Sequence, residues 1–116
     1  MVKNKTRILA RKGKKNYCLK LEEVVLFVSE QKIAFAFDTA NEKYLCNGNL
    51  SEVASFLDSR FYRANRQYII NIEHLKTFET FERVKLQVEM ELPNNNHQII
   101  VSQENCKRFR KWVASQ

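Results

Sequence analysis

Apolar and polar residues alternate strictly from Val84 to Leu92, through Lys85, Leu86, Gln87, Val88, Glu89, Met90 and Glu91. A period of two over nine residues predicts a half-buried strand with one face on a core. Pro93-Asn94-Asn95-Asn96 then reads as a turn, because asparagine tolerates left-handed backbone and proline cannot donate to a ladder. Gln98 to Val101 reads as the return strand of a hairpin, and Leu75 to Phe81 is a further β-rich run. The first half repeats the theme. Arg7 to Arg11 and Asn16 to Leu21 flank a basic turn at Gly13. Val24 to Val28 is a short continuous apolar run rich in β-branched residues, and Ile33 to Phe37 and Lys43 to Cys46 complete a meander. The segment from Arg60 to Asn71 reads as a turn held between two short strands.

Two helices interrupt this pattern. Asn49 is an N-cap candidate, and Glu52 three residues on completes a capping box. Leu50, Val53, Ala54 and Leu57 recur at helical spacing, so a helix is expected over about 49–58. A second is expected over about 103–114, with Ser102 as N-cap. Its apolar stripe is Cys106, Phe109 and Val113, and Lys107, Arg108, Arg110 and Lys111 cover the other face. The fold class expected is mainly β, built of short antiparallel strands with two short helices. Residues 1–6 read as a flexible tail and 7–116 as one domain.

Charge changes the picture. The chain of 116 residues carries a net charge of +7, distributed in blocks. Residues 1–20 hold eight basic groups and no acid, whereas residues 21–59 hold seven acids and two bases. The balance turns positive again over 60–78, negative over 79–104 and positive over 105–116. Alternation of this kind predicts discrete basic patches on a folded surface, the electrostatic footprint of a nucleic-acid binder.

Other chemistries find little support. Cys18, Cys46 and Cys106 are odd in number and far apart, which fits neither a disulfide framework nor a zinc site. They read as small buried hydrophobes. His74 and His97 are isolated and show no metal-binding spacing. Two glycines cannot build a phosphate loop, so no enzyme, metal or cofactor is expected. No apolar run reaches the roughly 20 residues of a membrane-spanning helix, and the basic N-terminus lacks the apolar stretch of a secretory signal. A cytoplasmic protein is expected.

The informative segment runs from Arg60 to Asn71. Arg63, Asn65 and Arg66 lie within four residues. An arginine fork matches guanine O6 and N7, and an asparagine amide matches adenine. Arginine also grips phosphates. A solvated turn with arginine stems lying on aromatic neighbours is the competing reading. For Arg63, a phosphate contact and a structural role stand equal. Phe61 and Tyr68 read as anchors of the turn in the core, and Asn71 as a residue that ties down a turn with its side chain.

The stretch Phe61-Tyr62-Arg63-Ala64-Asn65-Arg66-Gln67-Tyr68-Ile69-Ile70-Asn71 resembles the signature F-x-R-x-H-R-S-Y-I-V-N of the LytTR DNA-binding domain family. Three further segments look similar, in the same order: Leu21 to Val28, Gly48 to Val53, and Ile100-Val101-Ser102. The resemblance spans about residues 7–112. It implies an elongated, mainly-β domain that binds double-stranded DNA with loops in successive major grooves, at direct repeats. It further implies the output half of a bacterial two-component response regulator, a receiver domain or sensor-kinase pathway upstream, and a homodimer on DNA. The matching contact regions are the loop at Glu30, Gln31 and Lys32, the turn holding Asn65 and Arg66, and the start of the last helix at Ser102, Gln103 and Glu104; Arg63 and Gln67 beside the turn, and Lys107 on the basic face of the last helix, are further candidate DNA contacts. The chain departs from the family pattern in Asn65-Arg66-Gln67, and in Gln103-Glu104, where the family often has arginine. Two alternatives compete. One is a module for single-stranded nucleic acid, stacking bases on Tyr17, Phe35, Phe37 and Tyr62. The other is a protein-interaction domain that has lost DNA binding.

Overall fold

The computed structural model describes residues 6–116. Ten strands and two helices follow one another in this span: β1 (Arg7–Lys12), β2 (Lys15–Lys20), β3 (Val24–Glu30), β4 (Ile33–Asp38), β5 (Lys43–Cys46), α1 (Leu50–Ala54), β6 (Phe61–Arg63), β7 (Tyr68–Asn71), β8 (Leu75–Phe81), β9 (Lys85–Met90), β10 (Ile99–Val101) and α2 (Gln103–Ala114). The mainly-β expectation holds. Seven strands form one sheet in the order β2-β1-β5-β4-β3-β7-β6, and three form a second in the order β10-β9-β8, with antiparallel pairing throughout.

The larger sheet is a wall between two cores. On one side Leu26, Val28 and Ile70 pack with Leu86, Val88 and Met90 of β9, Ile99 and Val101 of β10, and Phe109 of α2. On the other side Val24, Phe27 and Ile69 pack with Leu21 and with Leu50 and Val53 of α1. Burial on both faces explains why β3 is apolar at every position from Val24 to Val28 instead of alternating. By contrast β9 alternates because one face alone is covered: Leu86, Val88 and Met90 are buried while Glu89 is exposed. Asn71 is the buried polar residue of this interior. Its side-chain amide donates to the carbonyls of Val24 (2.9 Å) and Leu21 (3.4 Å), and its oxygen accepts from the Glu73 amide (3.0 Å). The turn-fixing role read for Asn71 is therefore met, and each buried group has a partner.

Three expectations are corrected. First, α1 is shorter than the spacing suggested and ends at Ala54. The capping box of Asn49 and Glu52 forms, but the amides of Phe56 and Leu57 reach back three residues, to Val53 and Ala54, and the Ser55 hydroxyl bonds the Glu52 carbonyl. Bonds of that tighter type end the helix while Phe56 and Leu57 pack against the core. Second, Ser102 stands at the N-cap of α2 without a side-chain capping bond. Its hydroxyl accepts instead from the Asn105 side-chain amide at 3.1 Å. Third, Cys18 is exposed, although Cys46 is buried. Cys18 lies on the edge strand β2 opposite Leu9, itself exposed. Of the expected tail 1–6, residues 1–5 lie outside the described residues, and the Thr6 carbonyl accepts from the Leu21 amide at 3.0 Å. Among the described residues, no helix is long and apolar enough to cross a membrane.

Candidate nucleic-acid interface

The three segments singled out from the sequence meet at one end of the wall. Glu30 and Ile33 close the β3–β4 hairpin, leaving Gln31 and Lys32 as a two-residue loop. Both residues take positive φ, 50° and 68°. Two consecutive left-handed residues mark a type I′ turn, which matches the right-handed twist of the strands it joins. Neither is glycine, so the loop carries backbone strain on the order of 1 kcal/mol per residue or more. Both side chains are exposed and have no partner among the described residues. Next to this tip the Ser29 amide donates to the Gln67 carbonyl at 2.8 Å, docking the second segment on the first.

That second segment, residues 64–67, joins β6 to β7. Ala64 is fully buried against the same core as Val101 and Phe109, and its amide donates to the Tyr68 carbonyl at 2.9 Å. A larger side chain there would collide with close-packed neighbours. Asn65 organises the turn from its side chain. Its oxygen accepts from the amides of Gln67 (2.7 Å) and Tyr68 (3.0 Å), the local bonding that favours asparagine in turns. Its amide nitrogen donates to the Ile100 carbonyl at 2.8 Å. Ile100 lies in β10, two residues before Ser102, so the third segment is tied to the second. Arg63 donates from Nε to the Asn65 carbonyl (3.3 Å), from Nη1 to Ser51 Oγ (3.0 Å) and from Nη2 to the Arg66 carbonyl (3.1 Å).

What remains free is informative. The exposed side chains of Arg66 and Gln67, like those of Lys32, Gln103 and Lys107, have no partner among the described residues. Glu30, which would oppose a phosphate, is paired with Lys43 at 2.7 Å. Ser102 is partly buried and engaged with Asn105. Glu104 is exposed in the first turn of α2. The contact between Arg63 and Ser51 was not legible beforehand, because a serine in the first turn of a helix carries no signal of a distant partner.

The aromatic residues that could have formed a stacking platform are placed otherwise. Phe37 is buried, and Tyr62 stacks on Trp112 with ring centroids 5.0 Å apart. Lys43 lies over the Phe35 ring, and Tyr17 meets Tyr44 edge to face. Phe61 is buried, and Tyr68 is half-buried with its hydroxyl 3.3 Å from His97 Nδ1, as expected of anchors. Burial lowers the His97 pKa. Among the described residues, no group of three or more His, Cys, Asp or Glu could hold a metal ion.

A family model of the LytTr DNA-binding domain matches residues 14–114. The chain belongs to the LytTR DNA-binding domain family. No curated protein matches it. Among solved structures, it is similar to one described as the LytTr DNA-binding domain of a methyl-accepting/DNA response regulator from Bacillus cereus, with a TM-score of 0.81 and 19% identity, over 95% of this chain and 98% of that one. At that identity the likeness establishes the fold. Membership makes this a DNA-binding domain.

Proposed function

We propose that residues 7–116 form one domain that binds duplex DNA sequence-specifically, as the output domain of a transcriptional response regulator. The observation that carries this reading is the convergence of three segments on one end of the sheet, with polar and basic side chains left unpartnered. A two-residue hairpin tip is narrow, and a major groove about 12 Å wide admits elements of this size. Arg66 and Gln67 are the proposed base readers. Gln31 and Lys32 at the hairpin tip, and Ser102, Gln103 and Lys107 at the start of α2, are the proposed flanking contacts to bases and phosphates. The free amides of the α2 N-terminus favour a phosphate there. Direct-repeat sites, a homodimer on DNA, a partner receiver domain and a cytoplasmic setting belong to the same proposal and rest on family membership.

The test is selection from a random duplex pool, followed by fluorescence anisotropy across a salt series. A defined site is expected to emerge, with affinity falling steeply with salt. Arg66→Ala is expected to lose about 1–3 kcal/mol of discrimination. A pool without enrichment, together with Arg66→Ala equal to the parent, would refute the proposal.

A further inference from the structure

We infer that Arg63 is a positioning residue of the reading turn, and that this, rather than a phosphate contact, is its role in binding. The inference rests on the DNA-binding reading above, which by itself leaves the role of Arg63 open. The guanidinium has five N–H donors in a rigid plane. The side chain is exposed, yet each of its three nitrogens donates to a protein acceptor: Ser51 Oγ and the carbonyls of Asn65 and Arg66. Those two carbonyls are consecutive, yet both accept from the same group. In extended backbone, successive carbonyls point to opposite sides. A single fork that gathers both therefore fixes the bend of the chain at the residue whose side chain is left free, Arg66. The third bond anchors the fork to α1, whose N-terminus is held by the capping box of Asn49 and Glu52.

This arrangement couples a capped helix on one side of the sheet to a reading turn at its end. Three of the five N–H groups serve acceptors of the turn and of α1, so the protein sets the orientation of the guanidinium and a phosphate could meet only the remaining two. Bonds from a charged donor are stronger than neutral ones, so these three hold the turn in shape before any DNA is met. Lysine cannot substitute, because a point charge on a flexible stem does not span three acceptors set around a plane.

Arg63→Lys separates the two roles, since it keeps the charge and loses the fork. Arg63→Gln and Ser51→Ala accompany it, each checked for an unchanged unfolding midpoint. Binding is measured on the selected duplex and on a scrambled duplex of equal length, across salt. Positioning predicts that Arg63→Lys lowers the ratio of specific to non-specific affinity about tenfold, the loss of roughly one bond to a charged group. The salt slope on the scrambled duplex should not change. Ser51→Ala should lower the ratio less. If Arg63→Lys binds both duplexes like the parent, while Arg63→Gln weakens both equally and flattens the slope by about one, Arg63 is a phosphate contact and the inference fails.

A second readout needs no DNA. In the free protein, exchange of the Gln67 and Tyr68 amides, both held by Asn65, should speed up about tenfold or more in Arg63→Lys. Unchanged exchange would overturn the positioning role. A parent protein that fails to discriminate between duplexes would overturn the DNA-binding reading, and the exchange experiment would still decide the role of Arg63.

Discussion

The side-chain amide of Asn65 donates to the carbonyl of Ile100 at 2.8 Å, across 35 residues of sequence. One asparagine thus joins the turn between β6 and β7 to the strand that leads into α2. Its oxygen is spent as well, on two backbone amides of its own turn.

Asn65→Ala removes all three bonds. It leaves the Ile100 carbonyl and two amides to find water, a cost of about 1–3 kcal/mol in stability. Asn65→Asp keeps the acceptor and loses the donor to Ile100, so it should cost less. If Asn65 frames the turn rather than reading a base, both variants should weaken binding to the selected duplex without altering the preferred sequence. Urea unfolding and a repeated selection measure the two effects. A shifted base preference in Asn65→Asp would mean that the side chain does read DNA.

Asn71 presents the same chemistry in the interior. It is fully buried and bonds Val24, Leu21 and Glu73. Asn71→Ala should lower the unfolding free energy by about 1–3 kcal/mol, the penalty for orphaned buried groups. Asn71→Leu should be no milder, because the Val24 carbonyl and the Glu73 amide lose their bonds to this side chain in an apolar setting. Chemical denaturation with a constant slope would register the change as stability alone. A loss well under half a kcal/mol would show that water reaches these groups.

His97 makes stability depend on pH. Its ring meets Phe37 edge to face at 4.5 Å, with Tyr68 Oη at 3.3 Å from Nδ1 and Asn41 Oδ1 at 3.3 Å from Nε2. A neutral ring protonated on Nε2 satisfies both, donating to Asn41 and accepting from Tyr68. Burial is the largest cause of its lowered pKa; Glu30 opposes the shift and Lys43 adds to it. The unfolded chain therefore binds this proton more readily than the folded one. The stabilisation is complete above the unfolded-state value of about 6.5. It is lost as pH falls through that value towards the lower folded-state pKa. Between pH 7.5 and 5, the urea midpoint should fall more steeply for the parent than for His97→Gln. Parallel curves would place the pH dependence elsewhere.

The strands were legible because their burial writes itself into the sequence. The alternation of Val84 to Leu92 reports one buried face, and the unbroken apolar run of Val24 to Val28 reports two. Capping chemistry located the start of α1, and Asn71 stood out as a polar residue closing an apolar run. Partnership was not legible. Nothing in the residues of β5 says that it pairs with β1, or in β3 that it pairs with β7. Pairing depends on the whole sheet, whereas alternation depends on one strand. The end of α1 was lost for a similar reason, since Phe56 and Leu57 extend the apolar spacing but pack outside the helix. At the candidate interface the residue types were visible and their commitments were not. Arg63 has the same donors whether it faces a phosphate or two carbonyls. The Gln31–Lys32 turn lacks the Asn-Gly or Asp-Gly pair that ordinarily announces it.

Ile69 and Ile70 are neighbours in the chain and belong to different cores. Both cores therefore draw on a single four-residue strand, and that strand begins where the reading turn ends. Like β3, this strand places neighbouring side chains in both cores, which ties the two halves of the interior together. Breathing of either half is expected at the turn, and mutations deep in either core become, at a distance, mutations of the surface proposed to meet DNA.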